Sequence, residues 1–389
     1  MTGAITFANA TYDSSIADAA LNEMDGRSVR GPDARYDALV IGKGPAACVF
    51  AIQMARRGKS ILLVPLPTET HQKPWGETLA PRGEFLLGQL GLARVCLAGQ
   101  YSTQTALSCW GNADPERTDF TFDPHGRMWH VSRPAFDKAL QTHATESGVD
   151  ILDKTSHRVA GFTRCTGYWE VRLASPNAER AIKVGYVVDA TGKSSCFARL
   201  MGSKRIFRDQ LVAISCVSEQ VTDMVPLLIE PVCKGWWYSL GLPQGQLLAV
   251  LMTDPKLFKL STEARRSLWD AMLGEAPHTR KRAGTCENAL GVASAESARL
   301  DNMSGKGWLA IGDAAMSFDP LSSHGLSSAI EQAVDSAERL SVHGHEATLV
   351  EFDAMRKELF GKYQAQRLAF YQSVRRFSGQ EFWRNRRVH

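Results

Sequence analysis

The sequence predicts an α/β protein in which a Rossmann-like domain is interleaved with a β-sheet domain and followed by C-terminal helices. The first observation behind this prediction is the segment at residues 36–66, which reads as an apolar strand, a glycine-rich turn, an amphipathic helix and a second apolar strand. That order makes one βαβ unit of ordinary length. The second observation is that apolar strand patterns, bounded by Gly or Asp, recur downstream at residues 167–173, 183–192, 246–254 and 307–315.

The residues before the first strand carry no structural signal of this kind. Residues 1–35 are small and polar without a sustained hydrophobic period, so we expect a mobile leader with at most one short helix near residues 16–24. No charged and apolar signal sequence opens the chain, which predicts a cytoplasmic location. The longest apolar stretch, residues 41–55, includes Lys43 and Gln53 and is too short to cross a bilayer, so no membrane contact is expected.

Composition and charge exclude several classes of protein. A chain of 389 residues with 44% hydrophobic and 22% charged residues is globular and long enough for two or three domains. The formal net charge of +4 is contributed entirely by the last fifteen residues, which contain five arginines and one glutamate. The remainder is formally neutral, which argues against a nucleic-acid-binding protein.

The cysteines point to no metal or redox motif. None of the eight cysteines forms a CxxC pair, so zinc-ribbon and thioredoxin-type sites are not expected and no metal is predicted. With no signal for an oxidising compartment, we expect reduced, buried, structural thiols.

The turn inside the βαβ unit is the first site that carries chemistry. Residues 42–47 read G-x-G-x-x-A between a strand and a helix, a context that is typical of dinucleotide binding. The first glycine permits the tight turn, the second lets the backbone approach a pyrophosphate, and the helix N-terminus offers free N–H groups to the anion. The second strand ends in Pro65 rather than in the usual acid for the adenosine ribose. The cofactor-binding residues predicted in this turn are Gly42, Gly44, Pro45, Ala46 and Ala47.

Two further motifs lie far downstream. DATG at residues 189–192 ends one strand pattern, and GDAA at residues 312–315 ends another and is followed by a P-x(4)-G segment. Together with the glycine turn, these motifs resemble those of FAD-dependent monooxygenases of the hydroxybenzoate-hydroxylase fold, over about residues 36–345. The resemblance implies that FAD is the cofactor, that the GDAA aspartate binds its ribityl or pyrophosphate part, and that the P…G segment opens a helix facing the isoalloxazine ring. It implies the cofactor residues Arg133, Asp313, Pro320, Gly325 and Leu326.

The same resemblance divides the chain into domains. A FAD-binding domain is expected from residues 36–105, 127–200 and 290–345, with a helix at 134–144 opened by a proline. A β-sheet substrate domain is expected from residues 106–126 and 201–289. Residues 346–389 are expected to form a helical segment with a basic tail.

Finer motifs narrow the family branch. GETLAP at residues 76–81 and GWWY at residues 235–238 look like stretches of the flavin-dependent halogenases and their relatives. In halogenases of free tryptophan, a catalytic glutamate occupies the position that is Ser322 here, so halogenation of free tryptophan is not expected. The resemblance places Glu77 near the flavin ring or the substrate as a catalytic residue, with a solvated loop carboxylate as the alternative. His324 is the second catalytic candidate, as a proton shuttle, although a capping histidine is the favoured alternative. Trp236 and Trp237 are candidates for contact with the substrate, with core packing as the alternative.

The whole motif set looks most like the maturation flavoproteins that accompany quinone-cofactor amine and amino-acid oxidases. These proteins hydroxylate a tryptophan inside a partner polypeptide, the first step toward cysteine tryptophylquinone. We therefore expect an FAD-dependent monooxygenase acting on a peptidyl tryptophan. Two alternatives remain open: a hydroxylase or halogenase of a small or carrier-bound phenol or indole, and a non-catalytic flavin-binding maturation factor.

The sequence also suggests partners. No second G-x-G-x-x-G occurs, so electrons are expected from transiently bound NAD(P)H or from a partner flavin reductase. The tail combines five arginines with Phe377, Phe382 and Trp383, residue types that supply much of the binding energy at interfaces. If the substrate is a protein, we expect this tail to be its docking element.

Overall fold

The computed structural model of the chain describes residues 5–6, 34–65, 76–152, 158–176, 178–219, 225–257, 261–283, 288–343 and 345–387. Most of the predicted leader, including the short helix expected near residues 16–24, lies outside the described residues. None of the described helices is long and apolar enough to cross a membrane.

Strands and helices are interspersed along the whole chain. In chain order, the strands are β1 Ile5–Thr6, β2 Arg35–Ile41, β3 Ile61–Val64, β4 Gly76–Leu79, β5 Tyr101–Thr103, β6 Thr105–Ser108, β7 Glu116–Asp119, β8 Met128–Ser132, β9 Asp150–Ile151, β10 Arg158–Arg164, β11 Trp169–Ala174, β12 Glu179–Asp189, β13 Arg205–Phe207, β14 Val212–Glu219, β15 Leu227–Val232, β16 Gly235–Leu242, β17 Gln246–Thr253, β18 Gly291–Ser294, β19 Ala298–Leu300, β20 Ser304–Gly305, β21 Trp308–Ala310 and β22 Met316–Ser317. The helices are α1 Pro45–Ala55, α2 Pro81–Gln89, α3 Ala93–Cys96, α4 Arg133–Glu146, α5 Cys196–Leu200, α6 Thr262–Gly274, α7 Pro277–Ala283, α8 Gly325–His343, α9 His345–Ser373 and α10 Glu381–Arg386. Short 3-10 turns lie at Gly192–Ser194, Pro243–Gly245, Pro255–Leu257, Gly312–Ala314 and Pro320–Ser322.

The predicted βαβ unit is present as β2, α1 and β3, with β2 and β3 parallel. β12 and β21 continue the parallel part of this sheet on one side of β2, and β9 continues it beyond β3. Because parallel strands are covered on both faces, they are nearly all apolar, and β3 is buried throughout. Helices α1 and α8 pack on one face of the sheet, which brings their N-termini to the same edge as the carboxyl ends of the strands. The mixed α/β fold predicted from the sequence is thus confirmed.

A second, seven-stranded sheet runs in the order β18-β14-β17-β16-β15-β6-β7. Its side chains point alternately to the two faces of the sheet, and each face contributes to a separate apolar cluster. One cluster packs with the C-terminal segment, and the other packs under α6 and α7. β18 pairs with β14 in this sheet, although the sequence-based division assigned residues 290–345 to the FAD-binding domain. The division into domains otherwise stays a prediction.

Three residues of the C-terminal tail, Phe382, Trp383 and Arg386, are buried in the core. Trp383 is 0% exposed, packs against Trp110 at 5.4 Å between ring centroids, and donates a hydrogen bond from Nε1 to the Val232 carbonyl oxygen at 2.8 Å. Arg386 is also buried and pairs with Asp254 at 2.7 Å. These three residues are not available for docking, because they brace the second sheet, while a docking role of the exposed arginines Arg375, Arg376 and Arg384 stays a prediction. The aromatic residues of the tail do not by themselves distinguish a docking surface from a core, since interfaces and cores are both rich in large aromatic residues.

The cysteine expectation is correct in part. Among the seven cysteines that the structure describes, six are free thiols, three of them buried and three partly exposed. Cys216, in β14, is disulfide-bonded, so the prediction of reduced thiols throughout the chain does not hold.

Candidate functional site

A cavity of about 590 Å³ lies where the parallel sheet meets the seven-stranded sheet. It is lined by the turns after β2 and β12, by the segment between β21 and α8, and by one face of the seven-stranded sheet. Of the site residues predicted from the sequence, it brings together Gly42, Gly44, Pro45, Ala46, Glu77, Arg133, Asp313, Pro320, Gly325, Leu326 and Trp236. The expected cofactor residues and part of the expected substrate wall thus share one space.

The two glycines of the first turn have different physical roles. Gly42 has a φ of +129°, and a Cβ there would lie 2.2 Å from the Ala190 carbonyl oxygen, so the fold itself requires glycine. Gly44 has an ordinary φ of −80°, and a Cβ there would meet no atom within 4 Å. Gly44 therefore keeps open a space that the described residues do not fill, directly before the N-terminus of α1. No side chain of the described part of the chain caps that helix, so its first amides are available to an anion.

The DATG motif is a structural clamp beside this turn. Asp189 is fully buried and accepts hydrogen bonds from the Thr191 amide at 3.0 Å, the Thr191 hydroxyl at 2.7 Å and the Ala198 amide at 2.8 Å. Burial raises the pKa of Asp189, while these donors act in the opposite direction. The clamp holds Ala190 against Gly42, and Gly192, at a φ of +64°, turns the chain along the cavity.

The GDAA motif places Asp313 at the cavity. Gly312 has a φ of +61°, and its amide donates to Gln332 of α8 at 3.1 Å, which fixes the turn. The Asp313 carboxylate lines the cavity, and the described part of the chain forms no hydrogen bond with it. Burial raises the pKa of Asp313, and the positive charges of Lys193, Arg133 and Arg205 oppose that effect. The Asp313 carboxylate can therefore accept hydrogen bonds from the hydroxyls of a ligand in the cavity.

The N-terminus of α8 forms the far end of the cavity. Gly325 and Leu326 line it, and a Cβ at Gly325 would meet no atom within 4 Å. The first turn of α8 contains no acidic residue that would repel an anion. Pro320 and Ser323, the latter at a φ of +50°, shape the 3-10 turn that leads into the helix. We call residues 42–47, 189–193, 312–313 and 320–326 together the cofactor cradle. Its two open glycine positions, its uncapped helix and its unpartnered carboxylate fit an FAD molecule.

Glu77, Arg133 and Asp137 form an ion cluster on one side of the cavity. Arg133 Nη1 donates to Glu77 Oε1 at 2.6 Å, and its Nε and Nη2 donate to the two carboxylate oxygens of Asp137 at 3.2 and 3.1 Å. Burial disfavours the charge of Arg133, but the two carboxylates more than offset it and raise the pKa of the guanidinium. Burial also raises the pKa of Asp137, with Arg133 opposing it. Arg133 therefore stays charged and holds the Glu77 side chain toward the cavity.

The substrate wall is the apolar face opposite the cradle, formed by Leu227, Ile229, Trp236, Tyr238 and Met252. These residues come from three adjacent strands, β15, β16 and β17, and alternate with residues that point to the other face. Burial, with a smaller contribution from the Glu77 charge, raises the pKa of Tyr238 well above its ordinary value, so its hydroxyl stays protonated. A neutral aromatic wall of this kind suits an aromatic ring.

Three predicted residues do not line the cavity. Ala47 is fully buried in the core between α1 and the sheet. His324 is exposed; its Nδ1 faces the Ser322 carbonyl oxygen, and its own carbonyl oxygen accepts the Ser328 amide at 2.7 Å in the first turn of α8. His324 thus lies at the start of α8 outside the cavity lining, and its catalytic role stays a prediction.

The third such residue is Trp237. It follows Trp236 in β16, and because successive side chains of a strand point to opposite faces, it lies under α6. Its ring packs edge-to-face on Trp269 at 4.6 Å, and its Nε1 donates to the Met272 carbonyl oxygen at 3.3 Å. The prediction that Trp237 contacts the substrate is corrected accordingly.

Sequence reasoning also missed residues that the structure brings to the cavity. Asp137 follows Arg133 by four residues on α4, and Tyr238 follows Trp236 by two residues on β16, so helix and strand periodicity could have found both. Asp319 precedes Pro320 and caps the 3-10 turn, with its Oδ1 accepting the Leu321 amide at 3.0 Å. An acidic residue before a proline is a recognisable capping signal.

Comparison with known proteins agrees with this geometry. A family model described as FAD binding domain matches residues 35–378. LodB of Marinomonas mediterranea, a protein assigned as an FAD-dependent oxidoreductase, is 25% identical over 362 residues, covering 90% of this chain and 96% of that protein. Among solved structures, the flavin-dependent halogenase CmlS superposes with a TM-score of 0.79 at 20% identity, over 92% of this chain and 68% of that one. QhpG, a peptidyl tryptophan dihydroxylase essential for tryptophylquinone cofactor biogenesis, superposes with a TM-score of 0.72 at 21% identity, over 91% of this chain and 79% of that one. The two superpositions show that the fold is shared.

Proposed function

Because the chain belongs to the FAD binding domain family and is an FAD-dependent oxidoreductase, we propose that it hydroxylates the ring of a tryptophan within a partner polypeptide. The observation that carries this proposal is the shared cavity, in which the cofactor cradle faces an apolar aromatic wall. Reduced FAD, when bound, activates O2 for transfer of one oxygen atom to an electron-rich ring. The residues of this chain supply the position, the exclusion of water and a proton acceptor.

The cradle residues would bind FAD by its polar parts. The α1 N-terminus suits the pyrophosphate, Asp313 suits the ribityl hydroxyls, and the α8 N-terminus suits the negative charge that the pyrimidine end of the ring carries on reduction. Leu227, Ile229 and Met252 on the opposite side would keep water from the reacting ring. Glu77 Oε1 is held by Arg133, which leaves Oε2 to accept the indole N–H and so increase electron release into the ring.

Halogenation is the rival chemistry, and the segment before α8 argues against it. Ser322 has no carboxylate, and its hydroxyl donates to the Asp319 carbonyl oxygen at 2.9 Å within the turn. Ser322 does not line the cavity, whereas its neighbour Ser323 does. We therefore propose that oxygen, and not chloride or bromide, enters the product.

The polypeptide substrate is supported by the fold shared with QhpG, which acts on a peptidyl tryptophan. The partner would be a tryptophan-containing polypeptide made together with this chain. Electrons would come from NAD(P)H or a flavin reductase.

The test uses the FAD-loaded protein, reduced anaerobically and mixed with 18O2. Its substrates are the tryptophan-containing polypeptides encoded beside its gene, with phenol and indole as small-molecule probes and bromide present throughout. We expect labelled oxygen in a tryptophan residue of one polypeptide, no bromine in any product, and loss of the label with Glu77→Gln. Label in phenol or indole alone would favour the small-substrate hydroxylase, bromine would favour a halogenase, and no product despite bound FAD would favour a maturation factor that does not turn over.

A further inference from the structure

One face of α9 bonds to Asp319, the residue that caps the 3-10 turn leading into α8. Tyr363, Arg367 and Tyr371 are spaced by four residues and therefore lie on one side of the helix, and all three bond to Asp319. We propose that Tyr371 and Asp319 are positioning residues that couple the substrate wall to the cofactor cradle. The inference needs FAD binding, and it needs the proposed hydroxylation only for one of its measurements.

Asp319 is 1% exposed, and its amide, its carbonyl oxygen and both its carboxylate oxygens form hydrogen bonds within the protein. Its amide donates to the Tyr363 hydroxyl at 2.6 Å, and its Oδ2 accepts from Arg367 Nε at 3.1 Å and from the Tyr371 hydroxyl at 2.8 Å. Arg367 is tied in turn to Asp209 at 2.7 Å. Asp319 directly precedes the 320–326 part of the cradle, and it is therefore held by α9 as well as by its own loop, where its Oδ1 accepts the Leu321 amide at 3.0 Å.

Tyr371 also reaches the substrate wall. Its hydroxyl accepts the hydrogen bond of Trp236 Nε1 at 3.1 Å while it donates to Asp319. The direction of this chain is fixed, because an indole N–H can only donate and the single phenolic proton is directed to Asp319. Burial, and then the Asp319 charge, raise the pKa of Tyr371 well above its ordinary value, so the proton stays on the tyrosine.

The chain Trp236–Tyr371–Asp319 thus links the substrate wall to the cradle through two buried hydrogen bonds. A substrate ring that shifts Trp236 would also shift the Tyr371 hydroxyl that Trp236 bonds to. That hydroxyl bonds in turn to Asp319, which precedes Pro320 and the N-terminus of α8. The position of the α8 N-terminus relative to the flavin would therefore depend on the position of Trp236 in the substrate wall.

Tyr371→Phe tests the coupling because it removes one hydroxyl and keeps the buried ring. Tyr36→Phe is the matched control, since Tyr36 also donates to a carboxylate, that of Asp150 at 2.9 Å, and neither residue lines the cavity. Both variants are purified as full-length protein and loaded with FAD. The measurements are thermal stability, the FAD dissociation constant, the visible circular dichroism and midpoint potential of bound flavin, and the fraction of reducing equivalents released as H2O2. The steady-state kcat and KM for hydroxylation are measured as well, and they alone need the proposed reaction.

We expect Tyr371→Phe to weaken FAD binding by about tenfold, the effect of one lost hydrogen bond to a charged group, and to change the flavin dichroism and potential. The H2O2 fraction should rise, and kcat for hydroxylation should fall more than KM changes. Tyr36→Phe should lower thermal stability alone. Asp319→Asn, which retains an acceptor for Tyr371 while losing the charge, should shift the flavin signals in the same direction but less.

The proposal is overturned if Tyr371→Phe lowers thermal stability as Tyr36→Phe does while FAD affinity, dichroism and potential stay at their original values. The flavin measurements do not depend on the substrate, so they test the coupling even if the proposed hydroxylation fails.

Discussion

The cofactor cradle and the substrate wall meet in one cavity but are specified in different ways. The cradle is built from backbone: Gly42 is required by its φ and by the approach of Ala190, and Gly312 by its own positive φ. The wall is built from side chains of three strands, and its support comes from Trp383, far away in the chain. The first is encoded in short motifs, the second in long-range packing. Substitutions in the two regions should therefore have different consequences.

The largest expected effect is on the wall. Trp383→Ala would remove a fully buried indole that contacts Trp110 and Tyr371 and bonds to the Val232 carbonyl oxygen. We expect the free energy of unfolding to fall by about 3–5 kcal/mol, the usual cost of deleting a buried tryptophan side chain. Urea unfolding followed by fluorescence and circular dichroism measures this. Phe122→Ala is the control, because Phe122 is 96% exposed and should cost less than about 0.5 kcal/mol. Unchanged stability together with loss of turnover on a polypeptide would restore the tail as a docking element.

The next effect separates the two glycines of the cradle. Gly42→Ala forces a side chain into a φ of +129° and against the Ala190 carbonyl oxygen, so we expect a loss of about 3 kcal/mol in stability even without FAD. The new methyl group of Gly44→Ala meets no atom of the described residues within 4 Å, so the apoprotein should keep its melting temperature while FAD affinity falls by roughly tenfold or more. Thermal unfolding and FAD titration of both variants check this. Equal melting temperatures for the two apoproteins would contradict the distinction.

This contrast explains what the sequence could predict. Residues such as Gly42, Asp313 and Gly325 could be recognised because a backbone that binds a dinucleotide needs fixed residue types at fixed spacing. Trp236 and Trp237 could not be separated by the motif, since strand alternation shows that one faces the cavity but not which one. The tail residue Trp383 was misassigned because Trp110 and Val232, which hold its ring and its indole N–H, lie more than a hundred residues earlier, and no local pattern reports such contacts.

A smaller effect sharpens the comparison within one strand. Trp236→Phe and Trp237→Phe each remove one buried indole N–H and some ring volume, so each should cost about 1–2 kcal/mol in stability. Only Trp236 lines the cavity, so only Trp236→Phe should change product yield and flavin dichroism. Parallel measurements of unfolding and 18O incorporation separate the two. A similar loss of turnover in Trp237→Phe would mean that the helix face of the sheet also governs the site.

The smallest effect concerns the joint between the two regions. His130 lies in β8, which pairs with the strand that carries Glu77, and its Nδ1 donates across to the Gly241 carbonyl oxygen of β16 at 2.8 Å. The ring is fully buried, and burial lowers the pKa of His130 from 6.5 to about 4, although the bond to Gly241 acts in the opposite direction. Within the described residues its Nε2 has no hydrogen-bond partner, so the fold provides nothing to stabilise a second proton.

The sign of the pH dependence follows from these two pKa values. Between about pH 6.5 and pH 4 the unfolded chain binds a proton at His130 that the folded chain refuses, so stability falls as the pH is lowered through that window and levels off below it. From pH 7 to pH 6 the expected loss is about 0.7 kcal/mol, with the slope approaching about 1.4 kcal/mol per pH unit lower in the window. His130→Gln keeps a side-chain donor for Gly241 but does not titrate, so the difference in unfolding free energy between wild type and variant should change by this amount across that pH unit. A constant difference from pH 7 to pH 5 would show that His130 takes up its proton over the same pH range in the folded and unfolded chains, and that the joint between cradle and wall is more hydrated than its burial indicates.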